Sequence, residues 1–166
     1  MAERHSSVRE GAIAGILGAT AIAVWFLIID VIGAHPLHTP DILGKGLISI
    51  LGKPPAMPDT MVTHVFAYTL FHYAAFILVG ILTAVIVHQA ARTPGILAGF
   101  VVLFAMFEVG AYMLAGLFTE SELGGMAWYQ ILIANLLATI IMGWFMWKRH
   151  PDLKGELNAA LAGEDA

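Results

Sequence analysis

His64, Tyr68 and His72 recur every fourth residue within Thr63–His72. On a helix that spacing stacks all three on one face. Imidazole and phenol groups in such a row can pass protons, coordinate a metal, or hydrogen-bond a ligand or a neighbouring helix. A second pair with the same spacing is Glu108 and Tyr112, and Asn135 stands further on. All of them lie inside long apolar segments. Ionisable groups at membrane depth are expensive, so each needs a partner or a task.

The elements that carry these residues follow from composition. The chain has 166 residues, 59% hydrophobic and 12% charged, with mean hydropathy +0.82. A soluble domain is nearer half apolar and a quarter charged. A chain this short buries too little of its surface to hide the surplus, which leaves lipid as its solvent. The formal net charge of −4 points to no nucleic-acid partner. With no cysteine, disulfides, Cys-ligated zinc, iron–sulfur clusters and thiol catalysis are all excluded.

The pattern predicts an all-α integral membrane bundle of four transmembrane helices, at about 11–32, 60–88, 94–118 and 126–147, in a single domain over 1–150. The first apolar run, Gly11–Val31, is too long for a signal-peptide core and reads as a retained helix. Gly11, Gly15, Ala19 and Ala23 form a small-residue stripe of the kind that lets helices approach closely. Asp30 sits about 20° off that stripe, which turns it toward other helices; an interfacial aspartate at the helix end is the alternative.

The loop after it opens with His35-Pro-Leu-His38. Thr39 then reads as a helix cap with Pro40 in the first turn. Ile42, Leu43, Leu47, Ile48 and Leu51 make a short amphipathic helix, lying on the membrane surface or lidding the bundle mouth. Trp128, Tyr129, Trp144 and Trp147 place aromatic residues at both ends of the last segment. A polar tail occupies 151–166.

Arg4, Arg9, Arg92, Lys148, Arg149 and Lys154 fall on one side of this topology and only Lys45 and Lys53 on the other, which predicts cytoplasmic termini. Counted from the opposite side, His72, Glu108 and Asn135 reach a common depth some 14 Å below the surface, at roughly 1.5 Å per residue. A shallower level holds Asp30, His64, Tyr68 and Tyr112.

Three readings of this polar layer stay open. It is a structural Glu108–His72–Asn135 hydrogen-bond cluster, a proton relay or pH sensor, or a contact for metal, haem or quinone. A metal quartet of His35, His38, His64 and Asp30 near the mouth offers nitrogen and oxygen ligands suited to zinc or copper(II), although Pro36 breaks regular spacing. Bis-histidine haem within one chain is disfavoured, because His64, His72 and His88 share one helix. No hydrolase, P-loop or zincin motif is present, and Ser49 and Ser121 have no base beside them in sequence. No cofactor is required by the sequence.

Ala23-Val-Trp-Phe-Leu-Ile-Ile-Asp30, the following His-Pro-Leu-x-Thr-Pro, Tyr68-Thr-Leu-Phe-His72 and Phe107-Glu-Val109 resemble small four-helix bacterial inner-membrane proteins of unassigned function. The resemblance covers most of the chain. It implies a bacterial inner membrane as the location and carries no catalytic residues across. Two functions are expected from the whole: a non-catalytic structural or accessory subunit of a larger membrane complex, such as one for electron transfer, or a membrane protein bearing an intramembrane polar site at His72, Glu108 and Asn135. Its partners would be the bilayer and other membrane subunits, or a second copy.

Overall fold

A computed structural model describes residues 7–52, 54, 56–90 and 128–150. Four helices occupy them: α1 (Ser7–Ile32), α2 (His38–Leu51), α3 (Met61–Ala90) and α4 (Trp128–Arg149). Three stretches are long and apolar enough to cross a membrane: Ser7–Ile32, Met61–His88 and Tyr129–Arg149. The 26 residues of α1 extend about 39 Å at 1.5 Å per residue, more than a hydrocarbon core of about 30 Å. Barely a quarter of each span's apolar window is buried within the chain, so most of its surface faces outward, as lipid requires. The protein is a helical membrane protein. The expected third segment, 94–118, lies outside the described residues.

Helices α1 and α4 end at Ile32 and Arg149, within two residues of where the apolar pattern stops, while α1 extends back to Ser7 and so takes Glu10 into its first turn.

Helix α1 is the hub. One face packs on α3, another on α4, and α3 and α4 barely touch each other. The small-residue stripe makes the first contact possible. A Cβ added to Gly80 would meet the carbonyl oxygen of Gly11, and one added to Gly15 would meet that of Phe76. The α1 and α3 backbones therefore run against each other here, and the energy is van der Waals packing. Against α4, Gly18 accepts the Met142 side chain. Ile22 and Phe26 meet Ala134 and Ala138, while Ala14, Ala84, Met142 and Met146 close the other end.

Two polar bonds fix the rotation of α1. The Trp25 indole donates to the Gln130 carbonyl at 3.0 Å. The Thr20 hydroxyl donates to Ile16 O at 2.7 Å, so the Tyr73 hydroxyl, 3.0 Å away, is the donor in their contact.

Helix α2 begins differently from the sequence expectation. Its cap position is Leu37, left-handed at φ 67°, which makes no side-chain cap bond. Thr39 lies one residue inside the helix, buried, and the cap comes from another element. Asp30 at the end of α1 takes the Thr39 N–H at 2.8 Å and the Thr39 hydroxyl at 2.7 Å. A carboxylate satisfies an orphan first-turn N–H better than the adjacent apolar residue can. Asp30 is thus buried and turned toward protein. Helix α2 then docks on α3, with Gly44 against the His64 carbonyl.

Candidate functional site

The polar residues sort into three places along the bundle. At the end where α2 sits, His64 is clasped by two carboxylates. Its Nδ1 lies 2.8 Å from Asp41 Oδ1 on α2, and its Nε2 lies 2.8 Å from Asp59 Oδ1 in the connection. The imidazole bolts the amphipathic helix and the following turn onto α3. The expected metal quartet is not assembled. Asp30 is engaged by Thr39, His64 by Asp41 and Asp59, and the exposed His35 hydrogen-bonds Gly33 O at 2.6 Å. His35 and His38 remain neighbours, with ring centroids 6.0 Å apart.

Mid-bundle, His72 is 8% exposed and its Nε2 donates to the Ala19 carbonyl on α1 at 3.1 Å. A carbonyl only accepts, so Nε2 carries the hydrogen, and in a neutral ring Nδ1 is the acceptor. The Tyr68 ring stacks on it at 5.5 Å, as the four-residue spacing predicts. Phe76 packs on it from the other side at 4.8 Å.

His72 and Tyr68 line a cavity of about 230 Å³ between α1, α2 and α3. Its walls include Ile22, Phe26, Leu27 and Val65, with Thr20, Asp30, Thr39, Thr69 and Tyr73 as polar points. Few polar groups in an apolar wall is the usual composition of a small-molecule site.

Asn135 does not share the His72 hydrogen bond. Among the described residues its Nδ2 is buried without a hydrogen-bond partner, and its backbone carbonyl takes the Thr139 hydroxyl at 2.8 Å. Glu108 and Tyr112 lie outside the described residues.

No family model, curated protein or solved structure matches the chain. The site is therefore read from its own geometry.

The third place was not anticipated. At the opposite end, Glu10 from α1, His88 from α3 and His150 just beyond α4 converge, with one ligand-type atom from each within 4.8 Å of the others. His150 Nε2 lies 2.9 Å from Glu10 Oε1, and the two imidazoles meet edge-on at 4.6 Å. In sequence these three stand at the edges of separate apolar runs. Glu10 with His150, 140 residues apart, has no spacing that could announce it.

Proposed function

We propose that this chain is an integral membrane protein that holds the ring-sized, oxygen-bearing head group of a lipid-soluble molecule, of the quinone class, in the cavity between α1, α2 and α3. The observation that carries this is His72, buried in the cavity wall with Nε2 committed to Ala19 and Nδ1 left as an acceptor. A hydroxyl on the ligand can donate to that nitrogen, and the Tyr68 hydroxyl is a second polar point. About 230 Å³ falls below the roughly 300–1,000 Å³ of drug-sized pockets and suits a single ring whose tail leaves into lipid. The one carboxylate in the wall, Asp30, is already satisfied by Thr39, so the cavity does not call for a cation.

The test is binding of a short-chain ubiquinol, kept reduced, to the full chain in lipid nanodiscs, read by quenching of tyrosine and tryptophan fluorescence. Saturable one-to-one binding, weakened at least tenfold by His72→Leu and unchanged by His35→Ala, is the expected result. Equal, non-saturating partition into wild type and His72→Leu would reduce His72 to a bolt between α1 and α3.

A fourth crossing by 94–118 belongs to this reading. Helix α1 pairs antiparallel with both α3 and α4, so the chain leaves α3 at the Glu10 end and enters α4 at the Trp25 end. The six-to-two basic asymmetry supports cytoplasmic termini, and the resemblance noted above supports a bacterial inner membrane.

An accessory role in a larger membrane assembly, including one for electron transfer, is the second reading. It draws on the outward stripe Leu136, Ile140 and Trp144 of α4, which a partner helix or lipid must cover. The Gly11–Gly15 stripe does not argue for it, being used within the chain against α3. A chain that co-purifies from native membranes in mild detergent supports this role, and a lone monomer opposes it.

A further inference from the structure

We infer that Glu10, His88 and His150 form a binding site for a divalent first-row transition-metal ion, at the end of the bundle opposite the quinone cavity. Three observations carry it. One ligand-type atom from each residue lies within 4.8 Å of the others, on three separate segments of the chain. The Glu10 side chain is 3% exposed, and its Oε2 is buried with no hydrogen-bond partner among the described residues. The His88 ring is already oriented: its Nδ1 donates to the Ala84 carbonyl at 2.8 Å, which places the lone pair of the neutral ring on Nε2, 4.0 Å from Glu10 Oε2. A backbone carbonyl on the far ring nitrogen is the arrangement that fixes the tautomer of a metal-ligating histidine.

The donor set decides the ion. Two imidazole nitrogens and one carboxylate oxygen are borderline ligands, suited to zinc, iron(II) or cobalt(II) and poorly to calcium or magnesium. Metal–ligand bonds of about 2.0–2.2 Å hold tetrahedral ligand atoms roughly 3.3 Å apart. The pair Glu10 Oε1–His150 Nε2 is already closer than this, at 2.9 Å, so an ion inserts by widening that contact and drawing His88 inward. Without metal, the His150 Nε2 hydrogen bridges to Glu10. Binding moves that hydrogen to Nδ1, the other tautomer of the neutral ring, and leaves His150 Nε2 as a ligand. Three protein ligands leave at least one coordination position for water or an anionic ligand.

An ion here would join the start of α1 to the ends of α3 and α4, the two helices that scarcely touch each other directly. The site is thereby a clamp as well as a binding site, and stability gives a second readout.

The experiment uses the full chain in detergent or nanodiscs, stripped with chelator and titrated with Zn²⁺, and separately with Co²⁺. Expected are one ion per chain, a higher unfolding temperature, and visible d–d absorption with Co²⁺. His88→Ala, His150→Ala and Glu10→Gln each weaken binding at least tenfold and abolish the thermal shift. The double variant His35→Ala/His38→Ala, at the far end, leaves both intact. Wild-type protein that takes up less than a fifth of an equivalent of Zn²⁺ and shows no Co²⁺ bands overturns the inference without reference to any variant. So does binding that survives Glu10→Gln and His88→Ala, or that is lost in the His35/His38 variant. Failure here leaves the quinone cavity untouched, since the two share no residue.

Discussion

The carboxylate of Asp30, in the last turns of α1, caps α2 through both the N–H and the hydroxyl of Thr39, at 2.8 and 2.7 Å. The pair closes the sharp reversal between the two helices, where Ala34 and Leu37 take positive φ. Hydrogen bonds to a charged group contribute about 1.5–3 kcal/mol each, and losing one partner leaves the other buried and unsatisfied. Asp30→Ala is therefore expected to lower stability by about 2–3 kcal/mol, with Thr39→Val costing less because the backbone bond remains. Thermal unfolding in nanodiscs measures both. Equal, negligible losses would show that Asp30 does not hold α2.

Gly44 and Gly80 are tight in the same sense, and Gly143 is not. A Cβ on Gly44 meets the His64 carbonyl and one on Gly80 meets the Gly11 carbonyl, whereas one on Gly143 meets nothing within 4 Å. Gly80→Leu is expected to separate α1 from α3 and lower the unfolding temperature sharply. Gly143→Ala is expected to be neutral or slightly stabilising, since alanine is the better helix former by about 1 kcal/mol. If the two variants unfold together, the close α1–α3 approach is wrong.

His64 binds Asp41 and Asp59 through its two ring nitrogens at 2.8 Å each. Removing the ring frees the connection before α3 as well as α2. His64→Ala should accelerate proteolytic cleavage around 54–59 several-fold and speed hydrogen exchange in α2, with α4 unchanged. Uniform exchange across all helices would instead mean that the variant has lost its fold.

The Tyr73–Thr20 hydrogen bond spans α3 and α1 in an apolar setting. Such bonds average about 0.6 kcal/mol in membrane proteins. Tyr73→Phe should cost about that and no more, because the Thr20 hydroxyl keeps its bond to Ile16 O. A loss above 2 kcal/mol would mean that the phenol oxygen serves something further, with the cavity between α1, α2 and α3 that Tyr73 lines first in line.

What the residues alone could say is visible in particular elements. The Tyr68–His72 stack follows from a four-residue spacing, and the buried position of Asp30 follows from its place near the small-residue stripe. The acceptor that caps α2's first turn could not be read, because Asp30 lies nine residues upstream on another helix. His72 pairing with Ala19 O was hidden: α3 is apolar around most of its circumference, so its own pattern does not fix its rotation against α1.

By itself, then, the sequence determined the solvent and the elements: runs this apolar and this long must be helices in lipid, where every backbone group has to be satisfied within its own segment. Tertiary structure alone decided which polar groups meet. Antiparallel pairing of α1 with α3 and α4 brings Glu10, His88 and His150 to one end, and glycine-mediated contact sets the rotation that turns His72 toward Ala19. Those contacts depend on helix phase and direction, which residues so far apart in the chain cannot encode locally.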